Sequence, residues 1–354
     1  MIFNAMPFSF KLLAGLAFGA FCGCSAESGS STGMGTGGHA GSANNATGGA
    51  GGSGSNTGGS GGNVSNVSVT TDGNNHYTLQ VGSMKMVIDA GVGARITEFS
   101  LNDTNVLTAP AVDQSAGHNN YGCTFWTSPQ AAWSWPPVAA LDSQAYSGVI
   151  DAATNSVELV SGTATISNTP LTVTKRFVPV PESGAIDVTY TITNLSSSLA
   201  IKLAPWQISR VAGTGGLTFF AKGTGTYTST GTLALTDADG IYWFTFAAAT
   251  VNSKALSDGA GWIAHVTKDK LLLLFEYPDI QATEAAPNEA EVEVYTGPNG
   301  DYVEVEPQGA YTSLEPGATR EWKVRWKLRQ IDSSTTVSAG SASLQAFAQQ
   351  QRNQ

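Results

Sequence analysis

The sequence predicts an all-β protein built from two large antiparallel sheets packed face to face. Three observations point there. Segment after segment alternates apolar with polar residues at period two, rich in β-branched and aromatic side chains. Clusters of Gly, Pro, Asn and Asp, such as Asn194-Leu-Ser-Ser-Ser and Glu315-Pro-Gly, separate those segments as turns. No long helical periodicity appears before the C-terminal tail.

In chain order, residues 1–24 read as an export signal. The apolar run Phe8 to Phe21, interrupted only by Lys11, is too short to cross a bilayer and ends at small residues. It leads into Phe21-Cys-Gly-Cys-Ser, closing on a cysteine rather than an A-x-A site. This resembles a bacterial lipoprotein signal and makes Cys24 the lipidated first residue, anchoring the chain to a membrane. The alternative is an ordinary signal peptide cut slightly later, leaving a secreted protein. Residues 25–62 follow as a tether. From 26 to 62 there is no aromatic, Leu, Ile or Val, and the only charge is Glu27. Such a segment buries too little apolar surface to offset its ordering entropy and stays disordered, reaching roughly 30–35 Å on average. The implied location is the cell envelope, on a periplasmic face or the cell surface.

The folded part spans 63–331 as one domain or two merged halves. Its strand signals begin at Tyr77-Thr-Leu-Gln-Val and Met84-Lys-Met-Val-Ile. They continue through Val157-Glu-Leu-Val, Ala164-Thr-Ile, Leu171 to Phe177 and Ile186 to Thr193. Tyr242-Trp-Phe-Thr-Phe, Trp262-Ile-Ala-His-Val, Glu291-Val-Glu-Val-Tyr, Tyr302-Val-Glu-Val-Glu and Trp322 to Leu328 complete the series. Leu271-Leu-Leu-Leu-Phe is continuously apolar and reads as a strand buried on both faces. Residues 332–354 form a polar tail in which Ser341 to Gln351 would make one short helix or remain frayed.

Composition excludes some functions. With 17 Lys and Arg against 27 Asp and Glu, the formal net charge is −10, unsuited to nucleic acid. Cys123 is the only cysteine of the folded part, so neither an intrachain disulfide nor a Cys/His zinc site is available. No metal and no cofactor is expected.

Three segments carry candidate chemistry. Residues 117–148 lack a clean strand pattern and read as a long excursion, containing Asn119-Asn-Tyr-Gly-Cys-Thr-Phe-Trp and Trp133-Ser-Trp-Pro-Pro. Trp126, Trp133 and Trp135 offer flat faces suited to sugar rings, with Asn119, Asn120, Gln130 and Asp142 as hydroxyl partners. A hydrophobic plug at one end of the sandwich is the equal alternative. Ala204-Pro-Trp-Gln-Ile-Ser-Arg interrupts alternation at Pro205; it offers Trp206 for stacking and Gln207 and Arg210 as donors, or else a core indole and a paired cation. In Tyr302 to Gln308, period two puts Glu304 and Glu306 on one strand face. Crowded carboxylates raise one another's pKa, as a general base requires. Glu291 and Glu293 repeat the pattern and read as a solvated face. His118, beside the aromatic stretch, is the only histidine near a plausible site.

The order of several phrases resembles the aldose 1-epimerase (galactose mutarotase)-like superfamily. Val87-Ile-Asp-Ala-Gly-Val-Gly-Ala-Arg-Ile-Thr-Glu-Phe with Asn105-Val-Leu is similar to its opening. Thr191-Ile-Thr-Asn-Leu through Ala204-Pro-Trp-Gln resembles its central segment. Val305-Glu-Pro-Gln, Leu314-Glu-Pro-Gly-Ala and Trp322 to Leu328 resemble its close. Trp126-Thr-Ser-Pro and Trp135-Pro-Pro are similar to a W-x-x-P…W-P-P loop in a bacterial branch. The resemblance runs from about Val64 to Leu328 and implies a β-supersandwich. It further implies a His general acid and a Glu general base. Glu306 stands at the position of the base, Trp206 replaces the His, and Asn120-Tyr-Gly-Cys stands where an Asn-Arg pair is usual. A missing general acid typically costs about 10²–10⁴-fold. The expectation is therefore a membrane-anchored carbohydrate-binding protein. Trp126, Trp133, Trp135 and Trp206 would stack on the sugar, while Arg210, Gln207, Glu304, Glu306 and Asp142 orient hydroxyls. One alternative is a sugar epimerase or mutarotase with Glu306 as base and His118 or Arg210 as partner. The other is a non-catalytic scaffold.

Overall fold

In this computed structural model the described residues are 67–110, 121–298 and 300–354. The export signal, Cys24, the tether, His118, Asn119 and Asn120 lie outside them. The described residues form one compact unit. Its strands make two antiparallel sheets.

The first sheet runs, edge to edge, through Val67–Thr71, His76–Val81, Met84–Asp89, Arg95–Leu101, Cys123–Ser128, Ile201–Ala212, Tyr302–Pro307, Val292–Thr296, Ser253–Ser257 and Thr228–Thr230. The second runs through Thr236–Ala238, Ile241–Thr245, Leu217–Ala221, Trp262–Val266, Leu271–Glu276, Thr319–Gln330, Ala185–Asn194, Thr169–Val180, Ser156–Val160 and Ser147–Asp151. Alternation decides what each strand gives the core. In 185–194, Ile186, Val188, Tyr190 and Ile192 turn inward against Phe125, Val303 and Val305 of the first sheet, joined by Trp326 from 319–330. Tyr190 stacks on Phe125 with ring centroids 4.4 Å apart. Leu271 to Phe275 is buried on both faces because the sheet is covered on both sides there.

The cover on the outer side is the C-terminal helix, Ala342–Arg352. Ser341 caps it, accepting a hydrogen bond from Leu344 N at 3.2 Å. Leu344 and Ala348 pack on Leu217, Phe219, Trp243, Trp262, Leu272 and Leu274. At its other end Lys327 Nζ donates to Gln351 O at 2.7 Å, a cation placed against the negative end of the helix dipole. The tail is thus built into the sandwich. Among the described residues no helix is long and apolar enough to cross a membrane.

Two expectations about local structure are corrected. The stretch 117–148 is no continuous excursion: Cys123–Ser128 is an interior strand of the first sheet, and all six of its residues are buried. With both faces covered, neither face demands polar residues, so the period-two signal vanishes. Likewise Ala204 to Arg210 does not break at Pro205 but lies inside the strand 201–212. Proline removes one N–H from the ladder, while its carbonyl still accepts from Gly309 N at 3.0 Å.

Candidate functional site

Strands 123–128, 201–212, 302–307, 292–296 and 253–257 are consecutive neighbours in the first sheet. Their register decides which side chains meet on the face turned away from the second sheet. Trp126 lies opposite Trp206, and Arg210 opposite Glu304. Glu304 lies opposite Tyr295, and Glu306 opposite Glu293. Tyr295 in turn faces Lys254. Residues more than a hundred positions apart in sequence therefore share one surface.

The tryptophans form one cluster centred on Trp126. Its ring lies edge-to-face against Trp206 at 5.4 Å, Trp133 at 5.7 Å and Trp135 at 6.0 Å. Trp133 is held by a 2.7 Å bond from Nε1 to Thr127 O. Trp126 and Trp206 are almost wholly buried, while Trp135 is 47% exposed at the rim.

Charged groups are threaded between these rings. Asp142 Oδ1 accepts from Trp126 Nε1 at 2.9 Å and from Thr124 Oγ1 and Arg95 Nη2, both at 3.0 Å. Burial opposes its charge, but Arg95 and these hydrogen bonds hold its carboxyl below the usual range. Arg210 donates from Nε to Glu304 Oε1 at 2.7 Å, and its guanidinium lies 5.5 Å from the Trp126 ring centre. Glu306 Oε2 accepts from Trp206 Nε1 at 2.9 Å, and Lys254 Nζ lies 3.4 Å from the same oxygen. Lys254 also contacts the Glu293 carboxyl and sits 4.8 Å from the Trp206 ring centre. One ammonium thus serves two buried carboxyls. Burial pushes the pKa of Glu306 up, Lys254 opposes that, and Glu304 and Glu293 reinforce it. Glu293 is raised in the same way. For Lys254, burial works against the charged form, but Glu293 and Glu306 outweigh it and raise its pKa.

Several polar atoms on this face are buried without a partner among the described residues: Arg210 Nη1, Glu306 Oε1, Ser128 Oγ and both amide atoms of Gln308. Gln308 bridges to Trp206 in register.

Beyond Glu293 the face opens. A groove of about 450 Å³ lies at the 228–230 edge of the sheet, bordered by Thr228, Thr230, Leu256, Asp258, Glu289 and Glu291. It belongs to the same face, since Thr230 pairs with Lys254 and Thr228 with Leu256.

The structure brings together Trp126, Trp133, Trp135, Asp142, Trp206, Arg210, Glu304 and Glu306. It does not bring Gln207 there. Gln207 points into the core between the sheets, where its Oε1 accepts from Tyr190 Oη at 3.0 Å and Trp326 Nε1 at 3.1 Å. This is a correction with a simple cause: next to Trp206 on a strand, Gln207 must face the other way. The solvated reading of Glu291 and Glu293 is also corrected, as they are 1% and 0% exposed. Glu291 accepts from Gly259 N and Gly261 N, and burial pushes its pKa up to about 7. Nothing local in the sequence marks Lys254 or Gln308 as part of the site, because no pattern flags a lone cation or amide that tertiary pairing will use. The spacing Thr224-x-Thr-x-Thr-x-Thr230 was a visible period-two signal. Among the described residues no group of three or more His, Cys, Asp or Glu is placed to hold a metal ion.

No family model matches the chain, and no curated protein is similar to it in sequence. Several solved structures are similar in fold. One is a TPR-domain containing protein from Parabacteroides distasonis, 13% identical, with a TM-score of 0.53 over 75% of this chain and 49% of that one. The chain spans about half the length of that protein. Others are a putative aldose 1-epimerase from Escherichia coli K12 (12% identity, TM-score 0.47, 72% of this chain and 99% of that one) and a galactose mutarotase-like protein from Clostridium acetobutylicum (10% identity, TM-score 0.45, 75% and 99%). Over three quarters of its length the chain shares the fold of the Parabacteroides distasonis protein, and at that identity the likeness extends to fold alone.

Proposed function

We propose that this chain is an extracytoplasmic carbohydrate-binding protein, held to a membrane through Cys24 and the 25–62 tether, whose ligand surface is the outer face of the first sheet. One observation carries the reading: Trp126, Trp133, Trp135 and Trp206 converge with Arg210, Glu304 and Glu306 on one face, with Trp135 exposed at its rim. A protruding indole beside fixed polar groups suits a sugar ring, whose C–H face stacks while its hydroxyls bond sideways.

The pairing of Glu306 supports binding over isomerase chemistry. A base working with a general acid needs that acid to release a proton to the ring oxygen. Here the groups beside Glu306 are the Trp206 indole, which donates a hydrogen bond and does not release its proton in the working range, and the Lys254 ammonium, which Glu293 and Glu306 hold in its charged form against the cost of burial.

The test is a glycan array followed by calorimetry on the full chain and on Trp135→Ala. Binding to at least one glycan is expected, weakened about 30-fold by the substitution, which is the roughly 2 kcal/mol typical of an anchoring indole. Absence of binding to every glycan would refute the reading and leave the aromatic cluster as a plug or a protein-docking surface. Catalysed anomer interconversion by the wild type, lost in Glu306→Gln, would favour the isomerase instead.

A further inference from the structure

Part of the outer face is roofed over. In the first sheet, Cys123–Ser128 and Val292–Thr296 are separated by the strands 201–212 and 302–307. At roughly 4.8 Å per step, three steps put them about 14 Å apart. Yet Gln130 N, just past the end of the first, donates to Glu289 Oε1, just before the start of the other, at 3.0 Å. The sheet continues beneath this contact. Ala204 pairs with Ser128, Pro205 O accepts from Gly309 N at 3.0 Å, and 201–203 run on against 312–314. The side towards the second sheet is filled by Ile201, Leu203 and Leu314. The contact therefore crosses on the outer face, over Trp206 and Gln308, which are neighbours in register and each 1% exposed.

Each half of this bridge has its own anchor. On one side Trp133 Nε1 donates to Thr127 O and its ring packs on Trp126. On the other, Ala290 N donates to Glu293 Oε1 at 3.0 Å and Tyr311 N to Glu284 O at 2.6 Å. The Gln130–Glu289 bond joins two segments, 129–138 and 284–291, that are held independently, so it can part without unfolding either.

Beneath the bridge, polar atoms stand without a partner among the described residues: both amide atoms of Gln308, and Glu306 Oε1 on the same strand face. An unpaired buried amide costs stability that an apolar side chain of the same shape does not. A donor and an acceptor side by side match two adjacent hydroxyls, one accepting from Gln308 Nε2 and the other donating to Oε1. Glu306 Oε1 offers a further contact.

We propose that a sugar seats beneath this bridge, presenting a pair of adjacent hydroxyls to Gln308, and that the Gln130–Glu289 bond is a latch that opens to admit it. This rests on the carbohydrate reading of the same face and adds where the polar contacts are made and what controls access to them. Trp135 at the exposed rim receives the ring first; the hydroxyls are read inside. Sugars without two adjacent free hydroxyls are expected not to bind.

The experiment pairs a ligand-free measurement with a glycan array, on the full chain and on Glu289→Ala, Glu289→Gln and Gln308→Met. Hydrogen exchange read by mass spectrometry should show the Gln130 amide exchanging about ten-fold faster in Glu289→Ala than in the wild type. Glu289→Gln keeps a side-chain carbonyl to accept that bond and should exchange near the wild-type rate. On the array, read over a series of protein concentrations, Glu289→Ala should bind several-fold more tightly, because a larger share of the protein is open. Gln308→Met should bind about ten-fold more weakly while its thermal midpoint holds or rises by up to about 4 °C. A lowered midpoint would mean that the amide is structural and would overturn the seat. Unchanged exchange, or equal or weaker binding, in Glu289→Ala would overturn the latch. Glycan binding that neither substitution alters would leave the carbohydrate reading standing and overturn this inference. A blank array for every protein would remove the carbohydrate reading and the seat with it.

Discussion

Lys254 is the single cation between two buried carboxyls, and replacing it tests the electrostatic account of the site most directly. Lys254→Met keeps the aliphatic stem against Trp206 and removes the charge that Glu293 and Glu306 share. Breaking a buried pair by deleting one partner costs about 3–5 kcal/mol. The Lys254 side chain is 22% exposed, so water screens part of the interaction and about 3 kcal/mol is the better expectation at pH 8. The sign with pH follows from the direction of the shifts. Glu293 and Glu306 already have raised folded-state pKa values, and without Lys254 these rise further. A carboxyl with a raised folded pKa contributes its stability below the unfolded value, near 4.3, and loses it as pH climbs through the folded value. Near pH 4.5 both carboxyls of the variant bind protons, so the loss should fall to about 1 kcal/mol. Urea unfolding of both proteins at pH 4.5 and pH 8, followed by tryptophan fluorescence, measures the difference. Glu306→Gln added to Lys254→Met should recover part of the loss at pH 8. A loss of equal size at both pH values, or none at pH 8, would refute the shared-ammonium account.

Other expectations follow from single positions. His265 is fully buried with Nδ1 against Thr218 Oγ1 at 2.9 Å, and burial pushes its pKa down to about 4. Its contribution is present above about 6.5 and is lost as pH falls towards 4, so His265→Gln should remove up to about 3 kcal/mol of acid sensitivity, read from unfolding midpoints at pH 7 and pH 4. Gly93 has φ +68° and an added Cβ would meet Asp142 O at 2.1 Å, a contact with backbone that cannot swing away. Gly93→Ala should therefore cost about 2–4 kcal/mol, lowering the thermal midpoint by roughly 4–12 °C on calorimetry. Cys123 is buried and its thiol is pushed up to about 11 by burial, so peptide mapping should find it unalkylated by iodoacetamide in the native protein and fully alkylated in urea. Ready native labelling would show that the interior strand 123–128 opens.

Ile186 to Thr193 and Trp322 to Leu328 show what sequence conveys well. Each has one face on the core and the other nearer solvent, so alternation is visible and the fold class follows from it. Strands 123–128 and 201–212 show the limit. Covered on both sides, they have no polar face to mark the period, and one contains a proline that usually signals a break. Their misreading hid the fact that the aromatic stretch and the Ala-Pro-Trp segment are adjacent strands.

The candidate site divides along the same line. Which residue types were present, and that Glu304 and Glu306 share a face, followed from spacing along one strand. That Gln207 turns inward follows from its place beside Trp206, but only once the strand is known to continue through Pro205. Glu291 and Glu293 have the sequence signature of a solvated face, and their burial comes from neighbours remote in the chain: Gly259 and Gly261 for the first, Lys254 for the second. The sequence by itself determined the sandwich, the acidic balance and the stock of tryptophans and carboxyls, because those depend on local period and composition. The tertiary structure alone decided which of them meet, which are buried and which cation they share. Those outcomes depend on register between strands that lie far apart in the chain, and no local pattern encodes that register.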